Sequence, residues 1–93
     1  MATQILPPGE FIREELEARG WSQATFARIL GRPLQTINQI INGKKAITAQ
    51  TAKEIAAAFG TSPDVWMNLE MTWQLHSTPE PDARIQDRVR QLA

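Results

Sequence analysis

Apolar positions recur along this chain at helical spacing, in runs separated by glycine and proline, and no stretch alternates with the period of two that a strand requires. Phe11, Ile12 and Leu16 mark a first helix from about Pro8 to Ala18, stopped by Gly20. Ser22 caps a second helix that ends near Leu30 and turns Phe26, Ala27 and Leu30 inward. Gly31-Arg32-Pro33 is a tight turn. Pro33 suits the first position of a third helix, where a missing N–H has no partner in any case. Asn42-Gly43 ends that helix and Lys44-Lys45-Ala46 forms a basic loop. Thr48 caps a fourth helix, with Ala52, Ile55, Ala56 and Phe59 inward and Gly60 as its stop; Ser62-Pro63-Asp64 opens a fifth that runs to about His76. Ser77 to Pro81 reads as a stiff polar linker. After it, Asp82 to Leu92 forms a short amphipathic helix with Ile85, Val89 and Leu92 on one stripe, too short to be stable alone. The expectation is an all-α fold: a domain over 1–76, then a linker and amphipathic segment over 77–93.

The third helix is the most informative. At about 100° per residue, Ile37, Ile40 and Ile41 fall on one side, and Gln35, Asn38, Gln39 and Asn42 cover roughly a 100° arc opposite. Charged side chains solvate a surface better than amides. An amide, however, offers a donor and an acceptor together, as the major-groove edge of a base pair requires. A face that touches only water is the plainer alternative.

Composition narrows the field. Ninety-three residues, 42% of them hydrophobic, make one domain with a small core that a second subunit would help stabilise. Cysteine is absent, which excludes disulfides, thiolate metal sites and cysteine nucleophiles. No signal peptide is evident at the start and no apolar run approaches a membrane span, so the expected location is the cytoplasm. The formal net charge is zero, but its distribution is uneven. No acid lies between Glu17 and Glu54, where Arg19, Arg28, Arg32, Lys44, Lys45 and Lys53 all fall. A basic middle between acidic ends suits an anion-binding face on an otherwise neutral molecule. The one histidine, His76, has no ligand partner at helical spacing, so neither a metal nor another cofactor is expected. The serines read as caps or linker residues and Glu14-Glu15 as a solvated face, so no enzyme activity is expected.

The pattern Ser22-Gln23-x-x-Phe26-Ala27, then Gly31, Ile37, Ile40 and Gly43, resembles the helix-turn-helix of the phage-repressor superfamily, the XRE or Cro/C1 type. The flanking run PPGEFIREELEARGWSQ, the segment NGKKAITAQTAKEIAAAFGTSPDVWMNLE and the Trp73-Gln74-Leu75 end resemble the HigA branch of antitoxins. Trp73 stands where that family usually has tyrosine, and Lys53-Glu54 where an arginine commonly sits. The resemblance implies a five-helix, lambda-repressor-like domain with its third helix in the major groove of double-stranded DNA. It further implies a homodimer on a palindromic operator, repression of its own operon, and a HigB-type mRNA-cleaving toxin as partner.

Set on that pattern, Gln23 is expected on a phosphate, and Leu34, Gln35 and Gln39 at base edges. Leu34 lies at the edge of the apolar arc and can equally finish the core. Thr36, Asn38 and Asn42 suit phosphates or capping; Lys44 and Lys45 suit phosphates or a solvated loop. On the fifth helix Met67, Met71 and Leu75 form one stripe, and Trp66, Leu69 and Trp73 line another side. The expectation is that the tryptophans complete the core, while the methionine stripe and the tail residues Ile85, Val89 and Leu92 build a dimer interface. The alternative buries both stripes in the monomer. Rival functions are a phage- or plasmid-type repressor without a toxin, and an interaction module that uses the fold without reading DNA.

Overall fold

The computed structural model describes residues 4–93; Met1 to Thr3, at the start of the expected 1–76 domain, lie outside the described residues. The helices run in the order α1 (Pro8–Arg19), α2 (Gln23–Leu30), α3 (Leu34–Ile41), α4 (Ala49–Phe59), α5 (Pro63–Ser77) and α6 (Arg84–Leu92), and the described residues contain no strand. α1 and α5 each run one residue past the expected end. In α1 the helix continues right up to Gly20, whose φ of 67° turns the chain so that the Trp21 N–H reaches the Leu16 carbonyl at 2.9 Å. In α5 the Ser77 and Thr78 hydroxyls donate to the Trp73 and Gln74 carbonyls, each at 2.5 Å, and extend the last turn.

The start of α3 corrects the sequence reading. Pro33 is the cap, with ψ of 143°, and Leu34 is the first helical residue. The extended ψ takes Pro33 out of the helix, while its carbonyl still accepts the Ile37 N–H at 3.3 Å. α4 opens on a capping box not foreseen in full: Thr48 Oγ1 accepts the Thr51 N–H, and Thr51 Oγ1 accepts the Thr48 N–H.

Ile12 and Leu16 of α1, Phe26 of α2, all three isoleucines of α3, Ile55 and Phe59 of α4 and Trp66 of α5 share one buried core. Its aromatic centre stacks Phe26 on Phe59, with centroids 5.0 Å apart and planes 3° from parallel. Phe59 also meets Trp21 at 6.1 Å and Trp66 at 5.7 Å. α6 contributes nothing buried. The chain is correspondingly long, 57 × 33 × 23 Å.

α1 lies on the end of α3 backbone to backbone. A Cβ built at Gly9 would stand 1.8 Å from the Ile41 carbonyl oxygen, and backbone cannot swing aside as a side-chain tip can. Gly→Ala ordinarily stabilises a helix. Here Gly9→Ala is expected to destabilise by at least about 1–3 kcal/mol, the usual cost of overpacking, read as a lower urea midpoint. A midpoint at or above that of the parent would show that α1 does not touch α3 this closely.

Candidate nucleic-acid interface

α2 and α3 meet through the Gly31 turn, with Gly31 at φ 69° and the Arg32 N–H on the Ala27 carbonyl at 2.9 Å. Ile37, Ile40 and Ile41 are buried to 4% exposure or less, which fixes α3's rotation and leaves its other side outward. Gln35 and Asn42 are exposed there; Thr36, Asn38 and Gln39 are half-buried. Leu34 is 44% exposed, so it does not finish the core and stands with the amides. Gln23 is the first residue of α2, half-buried beside Trp21 and Arg13, at the rim of a shallow groove. The Ser22 hydroxyl takes the Thr25 N–H at 3.0 Å, and the first-turn N–H groups ahead of it point out of the helix start, a setting that suits an anion.

The basic loop is held closely. Gly43 has φ of 76°, and the Gln39 carbonyl accepts the N–H groups of Lys44 at 2.8 Å and Lys45 at 3.2 Å. Both lysine side chains are exposed.

Two features went unread in the sequence. Asn42 is not a free amide: its Oδ1 accepts from the Arg13 guanidinium at 2.7 Å, tying α3 to α1. The basic middle is also smaller than its count suggests. Arg32 grips Glu54 of α4 in a two-pronged ion pair, both N···O distances 2.8 Å. Arg19 pairs with Glu15, donates to the Phe59 carbonyl at 3.0 Å, and lies 4.7 Å above the Phe59 ring. Arg28, Lys44, Lys45 and Lys53 form no ion pair among the described residues. Hydrogen bonds from Arg32 hold the Glu54 carboxyl below its ordinary range, and the same bonds raise the Arg32 guanidinium.

The comparisons agree with this geometry. The Helix-turn-helix family matches residues 12–66. Antitoxin HigA-1 of Vibrio cholerae is 34% identical over 71 residues, covering 75% of this chain and 67% of its own length. The chain belongs to the XRE-type helix-turn-helix family, in its HigA antitoxin branch. The Escherichia coli regulator YddM, described as an uncharacterized HTH-type transcriptional regulator, is 34% identical over 68 residues, 73% of this chain and 72% of its own. Among solved structures, the Pseudomonas aeruginosa antitoxin HigA with higBA promoter superposes with a TM-score of 0.75 at 30% identity, covering 96% of this chain and 91% of that one. A HigA-family addiction module antidote protein from Coxiella burnetii gives 0.73 at 28% identity, over 97% and 92% of the two chains. This HigA-type chain is thus a DNA-binding regulator by family, and its relatives are regulators and antitoxins rather than enzymes. No helix among the described residues is long and apolar enough to cross a membrane.

The other expected interface residues fall outside the core. Met67, Met71 and Leu75 are exposed on α5, Met71 by 55%, and Ile85, Val89 and Leu92 are exposed on α6. Trp66 is buried and Leu69 packs partly buried against the core, but Trp73 does not complete it as expected: it is half-buried outside the core, its ring 6.0 Å from that of His76.

The Arg32–Glu54 pair gives a pH prediction. Glu54 has a folded pKa below its unfolded one, so the pair's contribution is present above the unfolded value and is lost as pH falls through the folded one. Glu54→Gln is expected to lower the urea midpoint at pH 7, and the gap from the parent protein should close as the solution is acidified. A gap that ignores pH would assign the loss to packing alone.

Proposed function

We propose that this chain is the antitoxin and autorepressor of a toxin–antitoxin operon: two copies dimerise, read a palindromic operator, and neutralise a HigB-type mRNA-cleaving ribonuclease in the cytoplasm. The observation that carries the DNA half is α3 itself. Its buried isoleucines leave Leu34, Gln35 and Gln39 facing outward with no acid nearby in sequence. Gln35 and Gln39 pair bidentately with adenine edges and Leu34 meets a thymine methyl. Gln23, Thr36, Asn38, Lys44 and Lys45 take phosphates, which position the protein without specifying sequence. Asn42 supports the face through Arg13 and has one amide edge left for a phosphate. The Pseudomonas aeruginosa HigA structure with its promoter DNA supports this reading, and the HigA relatives favour the toxin-linked function over a plain repressor.

Dimerisation follows from information and surface. One such unit reads only a few base pairs, too few to select an operator in a genome. Two units place their α3 helices in successive major grooves about 34–36 Å apart. The segment 1–76 reads DNA, and 77–93 joins the Met67, Met71 and Leu75 stripe in assembly; both stripes stay exposed in the monomer.

Gln35→Ala or Gln39→Ala is expected to cost about 1–3 kcal/mol on the operator and to relax preference at one base pair, whereas Gln23→Ala weakens binding to all sequences alike. Competition binding with mutated operators separates these effects. An unchanged sequence preference in both α3 variants would remove the face from base reading.

Met71→Glu is expected to lower dimer stability and operator affinity together while helical content stays intact, measured by sedimentation and circular dichroism. Outright unfolding would place the stripe in the monomer's own packing. Normal dimerisation would move the interface off α5.

A further inference from the structure

Among the described residues Glu70 is the one buried acid, 7% exposed on α5. Buried carboxylates are ordinarily neutralised by a cation. Glu70 is in no ion pair among the described residues. Its partners are neutral donors: the backbone N–H of Ile47 at 2.7 Å on Oε1 and the Gln74 amide at 3.1 Å on Oε2. A carboxyl buried without a counter-ion is a poor device for stability alone. Its Oε1 does accept a short, directional bond from the backbone.

That bond lands on the stretch between α3 and α4. At one end of this loop, Gly43 and the Gln39 carbonyl shape the backbone of Lys44 and Lys45; at the other, the Thr48–Thr51 box starts α4. Ile47 lies between, its side chain in the core. The Glu70 carboxyl, on α5, bonds the middle of this loop at Ile47, while Arg13 of α1 holds its first residue, Asn42; Lys44, Lys45, Glu70 and Gln74 line one cleft.

We propose that Glu70 is a positioning residue for DNA binding: it fixes the backbone at Ile47 from α5 and so holds Lys44 and Lys45 in reach of phosphates. The inference rests on the phosphate-contact reading of those lysines given above. It makes α5, the helix of the methionine stripe, a mechanical support of the basic loop.

Three variants test it on the intact protein with operator DNA across a salt series. Replacing Lys44 and Lys45 together by alanine is expected to make the slope of log affinity against log salt shallower by about 0.9 for each phosphate released. Glu70→Gln keeps an acceptor at the same reach and is expected to keep the parent slope. Glu70→Asp keeps the charge but withdraws it by one methylene; it is expected to flatten the slope as the lysine variant does and to speed amide hydrogen exchange at Ile47. A Glu70→Asp protein with a lower Tm but the parent slope would make Glu70 merely structural and overturn the proposal, as would a flattened slope in Glu70→Gln. A parent slope in the lysine variant would instead overturn the phosphate reading of the loop, whatever Glu70 does.

Discussion

Phe59, the last residue of α4, is where the helices of the DNA-binding unit are held in register. Its ring lies flat on Phe26 of α2, meets Trp66 of α5, and is capped by the Arg19 guanidinium of α1, which also takes the Phe59 carbonyl. Gly60 then turns the chain away at φ 72°. A side chain this buried is worth about 3–5 kcal/mol against alanine, a large share of the stability of a small domain. The cation above the ring serves two ends at once. It covers an aromatic face that would otherwise meet water, and it satisfies a carbonyl at the helix end that has no partner within its own helix.

Around that centre, the isoleucines of α3 set its rotation. Ile37, Ile40 and Ile41 face the core, so the remaining positions face out by geometry alone. α1 then limits where the end of α3 can lie, through the Gly9 approach to Ile41 and the Arg13 bond to Asn42. The backbone beneath the face is therefore anchored on two sides, by the core and by α1. Where an amide pairs bidentately with a base edge, as proposed for this face, such anchoring limits error in position.

The helices, their caps and most of the core were legible in the sequence because they depend on neighbours within about a turn: Ser22 and Thr48 at starts, Gly20 and Gly60 at stops, isoleucines at helical spacing. What escaped depends on distant partners. Arg32 meets Glu54 across 22 positions and Asn42 meets Arg13 across 29, so counting charges along the chain overstated the free cations and counting amides overstated the free amides. Glu70 is buried among α5 polar residues that are exposed, Asn68, Thr72 and Gln74, and nothing local in the sequence marks it as different. Leu34, left open between core and surface, was settled by the rotation of the whole helix. Pro33 was misplaced by one residue because a proline fits a cap as well as a first turn, and only the backbone ψ distinguishes them.

The surface opposite to this order is the C-terminal arm. For 93 residues a compact chain has a radius of gyration of about 12 Å; here it is 17.1 Å, with α6 carrying no buried residue. A helix of nine residues does not hold itself together in water by propensity alone. Local pairs help: Asp82 accepts the Arg84 N–H at 2.9 Å and faces the guanidinium groups of Arg84 and Arg88, and Arg90 pairs with Asp87. Exposed pairs of this kind contribute little, less than burial of the apolar stripe would. Ile85, Val89 and Leu92 therefore carry an unmet driving force, as do Met67, Met71 and Leu75 on α5. Both stripes lie C-terminal to α3 in sequence, and α5 bonds the loop after α3, through Glu70 and the Ile47 N–H.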